Sequence, residues 1–83
     1  MPTVFKREGY RFYFFSNEGD PRDPPHVHVR RGGDEAKFWL QPEVAVAESF
    51  GFNAAELNAL VRMVSEERVR IERVWNGHFG NGG

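Results

Sequence analysis

His26 and His28 stand two residues apart in the run Asp23-Pro24-Pro25-His26-Val27-His28-Val29-Arg30. In an extended chain, residues i and i+2 point to the same face. Both imidazoles therefore project together, while Val27 and Val29 point the other way. Imidazole titrates near neutral pH, which suits it to general acid–base work. Beside Arg30 and Tyr13 the pair could cleave an RNA phosphodiester. One ring would take the 2′-hydroxyl proton, the other would protonate the leaving oxygen, and a cation would stabilise the phosphorane. The same pair supplies two ligands to a metal, but a closed zinc site needs four and a catalytic one three plus water. Asp20, Asp23, Asp34, Glu35 or His78 would have to complete the set, and no spacing singles any of them out. No metal and no other cofactor is assigned. The plainest role for both histidines is pairing with local carboxylates or backbone.

The prolines before the pair preset an extended backbone and remove two N–H donors. They would serve as a rigid wall for the histidines or, the favoured reading, guard an edge strand against unwanted pairing.

The elements that position the pair are legible from pattern. Thr3 to Arg7 is a β-prone start and Glu8-Gly9 a tight turn. Tyr10 to Ser16 is a strand rich in β-forming aromatics. Residues 17–25 make a polar loop dense in turn residues. His26 to Arg31 is the next strand, Gly32-Gly33-Asp34 a hairpin turn, and Glu35 to Leu40 the returning strand. Gln41 to Ser49 reads best as a short strand or extended segment, although one or two helical turns also fit it. Asn53-Ala54-Ala55-Glu56 carries the capping-box pattern of a helix start. Leu57, Leu60, Val61, Val64, Ile71, Val74, Trp75 and Phe79 then follow helical spacing. The polar interval Ser65 to Val69 bends or splits that helix, Glu66 and Arg70 form an i,i+4 pair, and Asn76-Gly77 is a candidate stop.

The fold class is thus α+β: a small antiparallel sheet of three to five strands, packed on one face by one long or two consecutive C-terminal helices. Residues 1–79 form a single domain, followed by a disordered glycine-rich tail at 80–83. If Val27 and Val29 face the helix, Tyr10, Phe12, Phe14, Ala36, Phe38 and Leu40 join them. Arg11, Tyr13, Phe15, His26, His28, Arg30, Lys37 and Trp39 then share the opposite face. Aromatics that stack on bases, beside cations that meet phosphates, are the equipment of single-stranded nucleic-acid platforms. Trp, Tyr and Arg are also the usual anchors of protein interfaces. A half-exposed sheet face covered by amphipathic side chains needs neither partner. The candidate partner- or nucleic-acid-binding residues are Arg11, Tyr13, Arg30, Lys37 and Trp39, with His26 and His28 as the candidate catalytic pair.

Composition bounds the rest. An 83-residue chain buries roughly two-thirds of its unfolded surface, so its core is small. Eight Phe, two Trp and two Tyr supply that core, with some aromatics left over for a surface. Cysteine is absent, which removes disulfides and thiolate metal sites. The N-terminal stretch has no apolar signal-peptide core, and no run reaches the roughly 18 apolar residues of a membrane span. A soluble cytoplasmic protein is expected. The net charge of −1 argues against indiscriminate nucleic-acid binding by the whole chain. The charge is uneven: residues 1–40 hold seven Lys/Arg and six Asp/Glu, residues 41–83 four Arg and six Glu. Loss of Met1 would expose the Pro2 amine, a minor candidate for tautomerase-like chemistry. No glycine-rich phosphate loop, serine nucleophile motif or His-Glu-x-x-His is present.

The stretches Met1-Pro2-Thr3-Val4, Gly9 through Glu18, Pro24-Pro25-His26-Val27-His28-Val29 and Glu35-Ala36-Lys37-Phe38-Trp39-Leu40 with Pro42 resemble the family known as domain of unknown function 4160. Gly51-Phe52 before Glu56-Leu57, and a helix ending near Trp75, fit the same pattern over residues 1–79. The loop Gly19-Asp20-Pro21-Arg22-Asp23 is slightly longer than usual, and the glycine-rich tail lies outside the pattern. The family consists of small prokaryotic proteins, often encoded beside another small domain of unknown function in an arrangement like a toxin–antitoxin pair, and some members are labelled transcriptional regulators. The resemblance implies an α+β fold and a partner that is the product of an adjacent small gene. It supplies no catalytic set, and whether the chain is an enzyme stays open. The reading that follows is a component of a toxin–antitoxin-like module that binds a partner protein, with RNA or DNA as a candidate ligand, through the His/Arg/Trp face. The alternatives are a metal-independent ribonuclease built on the His pair and a purely protein-binding module.

Overall fold

A computed structural model describes residues 3–15 and 24–79, the side chains of His78 and Phe79 excepted. Five strands run β1 (Thr3–Arg7), β2 (Tyr10–Tyr13), β3 (His26–Arg31), β4 (Asp34–Trp39) and β5 (Ala45–Phe50). Two helices follow, α1 (Ala54–Glu66) and α2 (Arg68–Phe79). The strands form one antiparallel sheet in the order β1-β2-β3-β4-β5, a plain meander. The α+β class, the sheet and the two consecutive helices are as the sequence indicates. The ambiguous segment before Gly51 resolves as the fifth strand.

The inner face carries the core. Phe12, Phe14, Val27, Val29, Phe38 and Leu40 are fully buried, with Tyr10 and Ala36 nearly so. They pack with Phe5, Phe52, Leu60, Met63, Val64, Ile71 and Trp75 in one cluster. Strand alternation and helix periodicity thus meet on a single interior. Residue burial in β2, β3 and β4 fixes the register, because a one-residue slip would send this apolar set to the other face.

The turns behave as their residues require. Glu8 and Gly9 both take positive φ, 53° and 84°, the I′ geometry of a two-residue hairpin. Gly51 turns the chain from β5 toward α1 at φ 94°, and a Cβ there would collide with the Asp34 carboxylate. Asn53 caps α1: its side chain accepts from the Glu56 N–H at 2.8 Å, and the Glu56 carboxylate accepts from the Asn53 N–H at 2.9 Å. The helix breaks at Glu67, whose backbone N–H turns back to Met63 and Ser65 carbonyls.

Three local expectations are corrected. Pro24-Pro25 does not guard an edge, since β3 is the central strand. The Pro25 carbonyl instead accepts from the Leu40 N–H at 3.1 Å, prolonging the β3–β4 ladder from its acceptor side. Asn76-Gly77 does not end α2, which continues to Phe79. An exposed glycine in a last turn costs about 1 kcal/mol relative to alanine and is tolerated. Glu66 does not pair with Arg70. It accepts from Arg7 of β1 at 2.7 Å, while Arg70 approaches Glu67 at 3.6 Å and lies over the Phe5 ring. The hydrogen bond from Arg7 to Glu66, helped by Glu8, raises the Arg7 pKa above its ordinary value and clamps the β1 edge to α1. Asp20 and Asp23, the turn loop around them, and the tail at 80–83 lie outside the described residues.

Candidate functional site

The outer sheet face is built of cross-strand rows. Lys6 of β1 stands opposite Arg11 of β2, Arg11 opposite Arg30 of β3, Arg30 opposite Glu35 of β4, and Glu35 opposite Phe50 of β5. Three cations are therefore direct neighbours on three adjacent strands. Like charges placed opposite one another destabilise a sheet. No carboxylate among the described residues forms an ion pair with Lys6, Arg11 or Arg30. Arg11 donates to Thr3 Oγ1 at 3.2 Å, and Arg30 to the Gly32 carbonyl at 3.4 Å. Arg31, on the other side of β3, is already committed to Glu56 at 2.5 Å and to the Tyr10 ring. A cleft of about 300 Å³ opens at this end of the sheet, lined by Lys6, Gly9, Tyr10, Arg11, Arg30 and Arg31.

Two residues further along the strands, roughly 7 Å away, the row becomes Tyr13–His28–Lys37–Glu48. Beyond it His26 stands opposite Trp39. The rings form a continuous band. Tyr13 stacks on His28 at 5.4 Å, Phe15 meets His28 edge-on at 4.7 Å, and His28 meets His26 at 5.2 Å. His26 in turn meets Trp39 at 5.8 Å. Cations cap both ends: Arg11 lies over Tyr13 at 5.1 Å and Lys37 over Trp39 at 4.6 Å. Phe15, His28, Glu35, Lys37, Glu48 and Phe50 enclose a second cleft of about 250 Å³.

The seven residues singled out from the sequence, Arg11, Tyr13, His26, His28, Arg30, Lys37 and Trp39, do share this face. They are not equally accessible. Tyr13 and His26 are 3% and 2% exposed, so they are not surface contacts. Tyr13 sits among Phe15, His28 and Arg11. His26 lies at the end of the sheet, where Trp75 of α2 reaches its ring at 5.0 Å. Its Nδ1 is 3.0 Å from the Pro24 carbonyl oxygen. A carbonyl only accepts, so that bond holds a proton on Nδ1. The geometry therefore does not present two imidazoles jointly to a phosphodiester. His28 stays partly exposed, and so do Lys37 and Trp39. The described residues contain no group of three His, Asp or Glu able to hold a metal ion.

This division predicts a contrast between the two histidines. His26→Ala removes a buried, hydrogen-bonded ring and lowers stability by about 1–3 kcal/mol. His28→Ala leaves stability within about 1 kcal/mol, as substitutions away from the core do. Urea midpoints of the two variants check it, and equal losses would contradict it.

Sequence reasoning missed Lys6. The signal was present: a two-residue turn at 8–9 necessarily sets residue 6 opposite residue 11. It also missed Phe50 and Glu48, because β5 could not be placed before its register was known.

An antiparallel five-stranded meander backed by two C-terminal helices, with a cationic row and a ring band on its open face, defines a small α+β sheet protein with a polar outer surface. The family model described as Domain of unknown function (DUF4160) matches residues 9–76, well over half of the chain, and the protein belongs to that family. No curated protein and no solved structure shows significant similarity to it. Among the described residues no helix is long and apolar enough to cross a membrane.

Proposed function

We propose that this protein is the binding component of a toxin–antitoxin-like two-gene module, and that its outer sheet face takes a single-stranded nucleic acid. The row Lys6–Arg11–Arg30 carries this reading. A sheet that places three cations side by side, with no carboxylate among the described residues pairing any of them, keeps a cost that a bound polyanion would remove. The ring band beside the row supplies what a lone anion would not need. His28, roughly 7 Å along the strand from the cations, and Phe15 and Trp39 one such step beyond it offer stacking surfaces. Rings and cations at that spacing suit successive bases and phosphates. The two-gene setting comes from the family resemblance, which makes the product of an adjacent small gene the expected protein partner.

The ribonuclease alternative draws no support from the geometry, because His26 is buried against Trp75 and tied to the Pro24 carbonyl. A purely protein-binding face is separated from the proposal by salt. Phosphate contacts weaken steeply as counterions are added, whereas apolar docking does not.

The test is fluorescence anisotropy with a labelled oligouridylate. Trp39→Ala is expected to weaken binding by about 1–3 kcal/mol, the worth of one base–ring stack. Arg30→Ala should weaken it further as salt falls, with the thermal unfolding of both variants near that of the wild type. Unchanged affinity in both variants would refute the proposal.

A further inference from the structure

We infer that β5 is the docking edge for an extended, apolar and basic segment of a partner protein, which joins the sheet as a sixth strand. This surface is distinct from the cationic row and does not depend on it.

The sheet has two edges, β1 and β5. They differ in how they are protected. β1 carries Lys6 and Arg7, and Arg7 ties it to Glu66 of α1 and to Glu67 at that helix's C-cap. Lysine and arginine on an edge are common guards against strand addition. β5 has neither, nor a proline within Ala45–Phe50. It shows instead two exposed apolar side chains, Phe50 at 73% and Val46 at 40%. Among the described residues, no strand pairs with its outward backbone edge. A bulge displaces Ala47 from the ladder with β4. Strand addition draws affinity from main-chain hydrogen bonds and specificity from alternate side chains.

Charge selects the occupant. Residues 41–61 contain Glu43, Glu48 and Glu56 and no Lys, Arg or His. Glu56 is neutralised by Arg31, but Glu43 and Glu48 have no ion-pair partner among the described residues. Lys37 stands across from Glu48 in register, yet its ammonium lies over Trp39. A segment alternating apolar residues with lysine or arginine would set its cations along the outer face, where Glu48 meets the charge and Phe50 the aliphatic stem, and its apolar side chains beside Val46 on the inner face. A second copy of β5 laid antiparallel would bring Glu48 close to its own counterpart, a like-charge approach that disfavours the homodimer.

The test fuses a short valine–lysine alternating peptide to the C-terminus of the full chain through a Gly/Ser linker, which holds it at millimolar effective concentration. A valine–glutamate fusion is the control. Amide hydrogen exchange should slow across residues 45–50 in the lysine fusion. The lysine peptide should protect roughly three- to tenfold better than the glutamate one, as expected of a reversed cross-strand charge pair. Glu48→Lys should invert that preference, and Phe50→Ser, at an exposed position, should weaken protection without unfolding the domain. Protection equal in both fusions, protection at β1 instead, or no protection at β5 would overturn the inference. So would concentration-dependent protection of β5 in the unfused chain, which would assign the edge to a second copy.

Discussion

Replacing Lys6, Arg11 and Arg30 together by glutamine is expected to cut the salt dependence of oligonucleotide binding while leaving the fold intact. Each phosphate contact on a single strand contributes roughly 0.7 to the slope of log affinity against log salt. Three lost contacts lower that slope by roughly two. Between 50 and 200 mM salt the wild type should then lose roughly fifteenfold more affinity than the variant. The structural control runs in the opposite direction from an ordinary loss of function. The three side chains face one another across β1, β2 and β3, so neutralising them removes repulsion and should hold or raise the unfolding midpoint. A variant that lost affinity and stability together would show only that the row is needed for folding. A variant with an unchanged slope would remove the row from the interface.

Phe38→Ala is expected to have the largest effect on the fold. Phe38 is fully buried in β4, paired with Val27 of β3 on one side and Val46 of β5 on the other. Removing a buried phenyl ring costs about 3–5 kcal/mol through lost burial and the cavity left behind. A domain of this size has a total stability of roughly 4–12 kcal/mol. The variant should therefore lose roughly a quarter of its stability or more. Phe50→Ala supplies the contrast: the same residue type at 73% exposure should shift stability by no more than about 0.5 kcal/mol. Urea denaturation of the two proteins measures both, and comparable losses would contradict the assignment of inner face and edge.

The inner face was legible because alternation in three aromatic-rich strands and the periodicity from Leu57 to Trp75 agree on one interior. The hairpin at Glu8-Gly9 was legible as well, and with it the pairing of 6 with 11 that a two-residue turn dictates, whereas the second turn read one residue too long, because Asp34 joins β4 and pairs with Arg31. The pairing of Arg11 with Arg30 was not. It crosses the loop between β2 and β3, whose length sets no register, so the three-cation row emerges only in the folded chain. The site was half legible for a related reason. Strand alternation placed His26, Tyr13, Arg30 and Trp39 on the correct face, but a face is not an exposure. Tyr13 is covered by its ring neighbours, and His26 meets Trp75, a residue nearly fifty positions away that no local pattern ties to it. The ion pairs followed tertiary proximity rather than helical spacing. Arg7 reached Glu66 before Arg70 could, because β1 lies alongside the end of α1.

The most direct measurement is a titration of the ¹⁵N-labelled protein with oligouridylate at low salt, followed by amide and side-chain NMR shifts. Saturable shifts should centre on Lys6, Arg11, His28, Arg30, Lys37 and Trp39 and fade as salt is raised. No shifts at low salt, or shifts confined to β5 and the helices, would contradict a nucleic-acid strand on the outer sheet face.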